Sequence, residues 1–272
     1  ALQTALGEHH DLAALEARGV AVLSLRGETE FLRTVTGTAE HAWALLLALV
    51  RRVPAAAPAA RAGDWDRDRF RGRELAGRTL GVVGLGRLGS MVARYGAAFG
   101  MRVVAYDPYL APWPSGAAPE CMPSLRALLA EADVVSLHVP LNDETGGLLS
   151  SAALAAMKSG SVLVNTSRGG VVDEAALVEA VRSGRLAGAA LDVVEGETAP
   201  GGVAGSPAVA FAAGDDRILL TPHIGGATLE SMENTEIFMA EKLARWLRGE
   251  PVAVDSGPAV APVAPSPHPT PP

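Results

Sequence analysis

His223 lies in the sequence LLTPHIGG (219–226), where an apolar run ends at a proline and two glycines follow shortly after. A segment of this composition must turn, and a turn can present the imidazole at the surface. Histidine exchanges its proton near neutral pH, which makes it the usual acid or base in catalysis. A lone histidine in a loop is more often structural than catalytic, so the significance of His223 depends on its neighbours in the fold.

Two other groups of polar residues also follow apolar runs. Arg168 comes after SVLVN, and Asp192, Glu195 and Glu197 come after AGAAL. An arginine can hold a substrate carboxylate through two parallel, charge-assisted hydrogen bonds. A carboxylate beside the second ring nitrogen of a histidine fixes its tautomer and favours the imidazolium form.

An arginine, a carboxylate and a histidine together suit hydride transfer between a 2-hydroxy acid and nicotinamide. As hydride leaves the substrate carbon, a base must accept the proton of the hydroxyl group. His223 is the candidate base, and Arg168 is the candidate that binds the substrate carboxylate and polarises the carbonyl.

These side chains can act together only if the fold brings the ends of the apolar runs to one place. From residue 75 to residue 223, short aliphatic runs alternate with longer segments of helical spacing. This alternation predicts an α/β fold of the Rossmann type, a doubly wound parallel sheet covered by helices. Ligands bind beyond the carboxyl ends of such strands, where the arginine, the acids and the histidine would meet.

The elements that this pattern predicts are as follows. The strands are 79–83, 102–106, 133–137, 161–165, 187–193 and 217–220. The helices are 38–52, 87–99, 124–131, 150–157, 173–183 and 228–248. Upstream of them, a predicted helix at 11–19 and a predicted strand at 20–25 resemble the end of another βα unit.

A glycine-rich turn follows the first of these strands. Gly84, Gly86 and Gly89 have the spacing G-x-G-x-x-G, and Asp107 ends the next predicted strand, 21 residues after Gly86. The glycines allow a tight turn, close approach of a pyrophosphate, and close packing of helix on strand. Asp107 would accept hydrogen bonds from the adenosine ribose and repel a 2′-phosphate, so NAD is favoured over NADP. The alternatives are a purely structural turn or a site for FAD or S-adenosylmethionine.

Composition excludes several other classes of protein. The net charge of -7 argues against a general nucleic-acid binder. One cysteine, Cys121, rules out a disulfide framework and fits a reducing cytoplasm. The apolar stretch AWALLLALV (42–50) is far shorter than the roughly 20 residues that span a bilayer. No metal site is expected, and the proline-rich residues 251–272 predict a disordered tail.

Taken in order, several segments resemble the D-isomer-specific 2-hydroxyacid dehydrogenases. They include GRTLGVVGLGRLGS, ADVVSLHVPLNDET, VLVNTSRGGVVDEAALVEAV, ALDVVEGE and LTPHIGGAT. The likeness runs from about residue 7 to residue 250. Within the family, the segments most resemble the phosphoglycerate dehydrogenase-like and hydroxypyruvate reductase-like members. The resemblance implies an NAD-dependent dehydrogenase with Arg168, Glu197 and His223 in the catalytic positions. Glu197 is chosen over Glu195 because the family's glutamate falls five residues after the aspartate that Asp192 matches.

The same resemblance, with the glycine fingerprint, gives a set of cofactor-binding residues around the carboxyl edge of the sheet. They are Gly84, Gly86, Arg87, Leu88, Gly89, Asp107, His138, Pro140, Thr145, Thr166, Ser167, Asp192 and Gly225. His138 could equally be a satisfied polar residue at a strand end. Two departures from the family pattern, Val194 and Thr198, suggest a differently shaped loop around Glu197.

The resemblance also implies a domain organisation. Residues 1–35 would be the remnant of a flavodoxin-like substrate-binding domain that begins upstream of Ala1, and 36–226 the NAD-binding domain. Residues 227–250 would form a helix that returns to the substrate domain, ahead of the tail. A homodimer through helix 38–52 and the arm GDWDRDRFRGREL is implied, although Trp65 and Phe70 could pack within one subunit. The alternatives to a 2-hydroxyacid dehydrogenase are a formate- or phosphite-type dehydrogenase and a non-catalytic, NAD-binding corepressor-like dimer.

Overall fold

A computed structural model describes residues 12–114 and 119–254. They fall into two compact units, Thr36–Ala227 and a smaller unit that combines the residues up to Val35 with those from Thr228 onward. Asp255–Pro272, which contain most of the predicted tail, lie outside the described residues. No single described helix is long and apolar enough to span a membrane. One bent pair, Thr29–Val50 with Val53–Arg61, reaches the length and apolar composition of a membrane span only when its two parts are taken together.

The larger unit is built on a parallel sheet, which in the described residues has seven strands. They are β1 (Thr79–Val83), β2 (Arg102–Tyr106), β3 (Glu120–Cys121), β4 (Val134–Leu137), β5 (Val162–Asn165), β6 (Gly188–Leu191) and β7 (Ile218–Leu220). Their order is β3-β2-β1-β4-β5-β6-β7, and every neighbouring pair is parallel. The winding direction reverses between β1 and β4, at the position where Rossmann folds bind dinucleotides. The predicted fold class is therefore confirmed.

Helices of the larger unit cover both faces of this sheet. In chain order, the described α-helices of both units are α1 (Leu12–Ala17), α2 (Thr29–Arg33), α3 (Gly37–Val50), α4 (Val53–Arg61), α5 (Arg87–Ala98), α6 (Leu125–Glu131), α7 (Ser151–Ala156), α8 (Glu174–Arg182), α9 (Pro207–Ala212) and α10 (Leu229–Leu247). Polar side chains cap several of them: Ser124, Ser150, Asp173 and Ser206 each accept a hydrogen bond from a backbone N–H in the first turn of α6, α7, α8 and α9.

The two faces of the sheet bury two hydrophobic clusters. On one face, Leu137 and Leu163 of the sheet pack with Leu128, Leu154 and Leu177 from α6, α7 and α8. The other cluster joins Leu80 and Val164 to residues of α3 and α5. Successive strand residues point to opposite faces, so strands buried on both sides read as continuous apolar runs. This is why the runs predicted the central strands so closely.

Three elements of the larger unit lack such a sequence signal. β3 has only two residues, both exposed, and therefore no apolar run. The prolines of α4 argue against a helix, but Pro54 occupies its first turn, where no N–H partner is needed. α9 is only six residues long and starts at Pro207.

The smaller unit has its own modest core. Leu23, Leu25 and Met239 are buried, and Phe31 stacks on Phe238 with ring centroids 4.1 Å apart. The strand predicted at 20–25 is reduced to isolated bridges at Val22 and Leu23 in the described residues. The assignment of this unit to a substrate-binding domain stays a prediction.

Candidate active site

The glycine turn between β1 and α5 places its three glycines under different constraints. Gly84 has a φ of +87°, and a Cβ there would lie 2.8 Å from the carbonyl oxygen of His138. A Cβ on Gly89 would lie 2.0 Å from the carbonyl oxygen of Gly84, so α5 could not pack this closely with any other residue. At Gly86 a Cβ would meet nothing within 4 Å. The turn is tightly packed on its protein side and open at Gly86.

Asp107 is fastened to this turn from the end of β2. Its Oδ2 accepts a hydrogen bond from the backbone N–H of Leu85 at 2.9 Å, and its Oδ1 accepts one from Tyr109 at 3.0 Å. These bonds fix the carboxylate beside the glycines. Each oxygen keeps a lone pair for another donor.

Arg168 follows β5 in a loop that the Asn165 side chain organises. Asn165 Oδ1 accepts hydrogen bonds from the backbone N–H and the hydroxyl of Ser167, at 3.0 and 2.7 Å. Its Nδ2 donates to the carbonyl oxygen of Arg168 at 2.9 Å. Arg168 as a residue is half-buried, and its Nη1 donates to the carbonyl oxygen of Ser167 at 2.7 Å.

His223 pairs with Glu197. The distance from His223 Nδ1 to Glu197 Oε1 is 2.7 Å, so of the two glutamates after β6 it is Glu197 that meets the ring. The His223 side chain is 47% exposed and that of Glu197 is 20% exposed. With Nδ1 donating to the carboxylate, Nε2 carries a lone pair that can accept a proton.

The backbone of His223 adopts the left-handed conformation, with a φ of 54°. A non-glycine residue there costs of order 1 kcal/mol and persists only where the surroundings impose it. The N–H of His223 donates to the carbonyl oxygens of Asp192 and Thr221, at 2.8 and 3.0 Å. These bonds hold the turn in its strained form.

The side chain of Asp192 fixes the same turn. It is 2% exposed. Its Oδ1 accepts hydrogen bonds from the Thr221 hydroxyl at 2.6 Å, the Ile224 N–H at 2.9 Å and His41 Nε2 at 3.2 Å. Its Oδ2 accepts one from the Gly225 N–H at 2.7 Å. A buried carboxylate needs such donors, and here nearly all of them belong to the residues around His223.

Comparison with known proteins identifies the family. The model described as "D-isomer specific 2-hydroxyacid dehydrogenase, NAD binding domain" matches residues 43–225. The chain belongs to this family.

Individual members of the family are similar over most of the chain. It is 42% identical over 249 residues to a D-3-phosphoglycerate dehydrogenase of Mycobacterium tuberculosis, and the match covers 91% of this chain and 45% of the relative. The corresponding enzyme of Archaeoglobus fulgidus is 39% identical over 242 residues, covering 89% and 44%. The chain therefore spans less than half the length of these curated relatives.

Solved structures agree with this assignment. A crystal structure of a Thermus thermophilus protein has a TM-score of 0.80 and 41% identity, covering 93% of this chain and 76% of the other. A D-lactate dehydrogenase from Aquifex aeolicus, complexed with NAD and lactic acid, has a TM-score of 0.78 and 32% identity, covering 90% of this chain and 74% of the other.

As a member of this family the chain has NAD as its cofactor, and the described residues suit it. The open side of Gly86 admits a pyrophosphate, and the Asp107 carboxylate can accept from a ribose. The hydroxyl oxygen of Thr166, just after β5, is buried and has no hydrogen-bond partner within residues 12–114 and 119–254. Such an atom calls for a partner from outside the chain.

The loop after β4 contains three of the residues expected at the cofactor. His138 Nε2 lies 2.9 Å from the Ser136 hydroxyl. Burial lowers the pKa of His138 to about 4, so the ring is neutral at pH 7. The Thr145 hydroxyl donates to the carbonyl oxygen of Pro140 at 2.5 Å and stabilises the loop. The Ser136 bond is what a satisfied polar residue at a strand end would show.

Sequence reasoning missed His41. It lies on α3, 151 residues before Asp192, and its Nε2 is 2.9 Å from the Thr221 hydroxyl as well as near Asp192. The only signal was a histidine within an apolar helix, and no local motif connects it to the strands that follow. Among the described residues, no group of three or more His, Cys, Asp or Glu side chains is arranged to hold a metal ion.

Proposed function

We propose that the chain is part of an NAD-dependent dehydrogenase that oxidises a D-2-hydroxy acid or, in reverse, reduces the 2-oxo acid. The observation that carries the proposal is the 2.7 Å contact between His223 Nδ1 and Glu197 Oε1, in loops that follow strands of the family's NAD-binding domain. A histidine with one nitrogen held by a carboxylate and the other available is an acid or base for a hydroxyl proton.

Each catalytic residue has a distinct task in this proposal. Nε2 of His223 accepts the substrate hydroxyl proton during oxidation and returns it during reduction. Glu197 orients the ring and stabilises the imidazolium form. Arg168 binds the substrate carboxylate and polarises the neighbouring carbonyl. When bound, NAD supplies the hydride acceptor.

The cofactor contacts that we propose follow the carboxyl edge of the sheet. Gly84, Gly86, Arg87, Leu88 and Gly89 form the turn and the start of α5 that receive the pyrophosphate. The N–H of Gly84 donates to the carbonyl oxygen of Tyr106 at 2.9 Å, so the donors to the pyrophosphate come from the residues after it. Asp107 accepts hydrogen bonds from the adenosine ribose. His138, Pro140 and Thr145 contact the cofactor from the loop after β4. Thr166 and Ser167 contact it from the loop after β5. Asp192 Oδ2 accepts one hydrogen bond from Gly225 and keeps a lone pair for a donor at the nicotinamide end.

The pairing of His223 with Glu197 favours a hydroxy acid over formate as the hydride donor. A formate dehydrogenase from Staphylococcus aureus, complexed with NAD, has a TM-score of 0.77 to this chain and 32% identity. Formate at neutral pH loses hydride to become carbon dioxide and releases no hydroxyl proton, so it has no need of an acid or base. The names of the relatives make D-3-phosphoglycerate the first acid to test.

We also propose a homodimer in a reducing compartment. Trp65, in the arm between α4 and β1, is 84% exposed. Tryptophan is enriched at protein–protein interfaces, which supports this arm as part of the dimer contact. The free cysteine Cys121 supports a reducing compartment such as the cytoplasm.

The test uses the full-length protein and a panel of D-2-hydroxy acids, their 2-oxo acids and formate, each with NAD or NADP. We expect turnover of at least one 2-hydroxy acid with NAD, and a loss of about 10² to 10⁴ in kcat for His223→Asn. Unchanged kcat in His223→Asn, or turnover of formate alone, would contradict the proposal. Tight NAD binding without turnover of any acid would favour the non-catalytic alternative.

A further inference from the structure

Glu174, the first residue of α8, is a buried carboxylate to which the proposed reaction assigns no role. It is 4% exposed. Its Oε1 accepts a hydrogen bond from the backbone N–H of Glu195 at 2.5 Å, and its Oε2 accepts one from the Ser206 hydroxyl at 2.6 Å. A carboxylate withdrawn from water is strongly destabilising unless such donors satisfy it, so these two charge-assisted bonds are strong constraints.

The two donors lie at the two ends of one segment, residues 195–206. This segment carries Glu197, and it contains three glycines with positive φ: Gly196 at 76°, Gly201 at 99° and Gly202 at 60°. Glycines widen the range of conformations open to a backbone. Most of the segment is exposed, so buried packing does little to restrict it.

The start of the segment also rests on the loop that carries Arg168. A Cβ on Gly169 would lie 2.1 Å from Val194 C and 2.3 Å from Glu195 N, which only a glycine allows. The Glu195 N–H that Glu174 holds is therefore pressed against the backbone next to Arg168. Release of this N–H would let Glu197 move relative to both Arg168 and His223.

We propose that Glu174 is a positioning residue that holds both ends of segment 195–206 and thereby keeps Glu197 against His223. The proposal rests on the proposed function of the Glu197–His223 pair. Glu174 touches no reacting atom, and it acts through Glu197 alone.

The test compares Glu174→Gln and Glu174→Ala with a neighbouring control, Asp173→Ala. Glutamine keeps an acceptor for the Glu195 N–H, whereas alanine leaves both donors unpaired. Asp173 is exposed and caps α8 by accepting from Ala176 N–H at 2.9 Å, so its loss weakens the same helix without touching the segment. We expect kcat to fall roughly 10- to 100-fold in Glu174→Ala and less in Glu174→Gln, because small displacements of catalytic groups have effects of this order. The Kd for NAD should stay near its wild-type value in the Glu174 variants. The kcat of Asp173→Ala should also stay near its wild-type value.

Two further measurements separate positioning from general stability. Amide hydrogen exchange should accelerate in residues 195–206 of both Glu174 variants and stay unchanged there in Asp173→Ala. In a Glu197→Gln background, Glu174→Ala should reduce kcat no further, since the pathway through Glu197 is already lost. Two results would overturn the proposal. One is exchange at the wild-type rate in residues 195–206 of both Glu174 variants. The other is a full additional loss of kcat when Glu174→Ala is added to Glu197→Gln.

The two proposals can fail separately. If His223→Asn retains wild-type kcat, the proposed function fails, and hydrogen exchange still decides whether Glu174 holds the segment. If His223→Asn loses activity while the Glu174 variants exchange and turn over like wild type, the proposed function stands and the positioning role is wrong.

Discussion

The two partners of the candidate acid–base pair are fixed in different ways. His223 lies in a short turn whose backbone and side-chain donors converge on one buried carboxylate, Asp192. Glu197 lies in an exposed, glycine-containing segment that Glu174 holds only at its ends. One partner is rigid because its own turn is saturated with hydrogen bonds, whereas the other depends on distant anchors. Damage to the turn at His223 should therefore affect stability and activity together, whereas loss of the Glu197 carboxylate itself should affect activity alone.

Among these variants, Asp192→Asn should have the largest effect on the turn that carries His223. The amide removes the charge and brings an NH₂ group toward N–H or O–H groups that need an acceptor. We expect the free energy of unfolding to fall by about 2–4 kcal/mol, because at least one buried donor faces the NH₂ group and the others bond to a neutral, weaker acceptor. Urea denaturation measures this, and kcat should fall at the same time. A variant with wild-type stability and reduced kcat would mean that Asp192 does not brace the turn.

Glu197→Gln tests the other side of the comparison. We expect kcat to fall roughly 10- to 100-fold, because glutamine cannot stabilise the imidazolium form of His223. The free energy of unfolding should change by no more than about 0.5 kcal/mol, since the pair is partly exposed. Steady-state kinetics and urea denaturation of the same preparation measure both quantities. A loss of stability as large as that of Asp192→Asn would show that the segment is not separately anchored.

His138 provides a pH-dependent reference outside both regions. Its pKa is lowered from 6.5 to about 4. Between these two pH values, His138 binds a proton in the unfolded chain but stays neutral in the folded chain. Stability should therefore fall as the pH drops through 6.5, and the full loss should be reached below about pH 4. Wild type loses stability between pH 7 and pH 5, and we expect this loss to be smaller by about 1–2 kcal/mol in His138→Asn. Parallel pH slopes for variant and wild type would contradict this.

His41 gives the smallest expected effect and the finest test of the rigid turn. His41→Leu removes one donor from Asp192 and Thr221, and we expect a loss of about 1 kcal/mol in the free energy of unfolding. His41→Gln can again donate to Asp192 and should recover part of that loss. Thermal denaturation of the two variants gives the comparison. Equal stability of both variants would exclude a hydrogen-bonding role for His41.

The sequence predicted those features that depend on local patterns or on the geometry of a parallel sheet. Central strands are buried on both faces and appear as apolar runs, and residues that follow such runs gather at one edge. This reasoning was enough to single out Arg168 and His223, and the family resemblance selected Glu197 among the acids. The pattern also located the glycine turn, since the spacing of Gly84, Gly86 and Gly89 reflects constraints that the backbone itself imposes.

The remaining features depend on contacts between residues far apart in the chain. His41 reaches Asp192 across 151 residues, and Glu174 reaches Ser206 across 32. Neither contact leaves a periodic trace in the sequence. Asp192 was expected at the cofactor, but its support of the turn at His223 depends on donors from several separate segments. Such roles become visible only when the donors and acceptors are placed in space.

The close approach at Gly169 has a consequence for protein engineering. Because any side chain there would collide with the backbone of Val194 and Glu195, the loops after β5 and β6 fit one another as a matched pair. A transplant of the Glu197 loop from a homologue with another substrate preference should therefore include residues 168–174 from the same donor. Libraries that vary the Glu197 loop alone would best keep Gly169 and Glu174 constant, so that substrate preference is altered on an intact foundation.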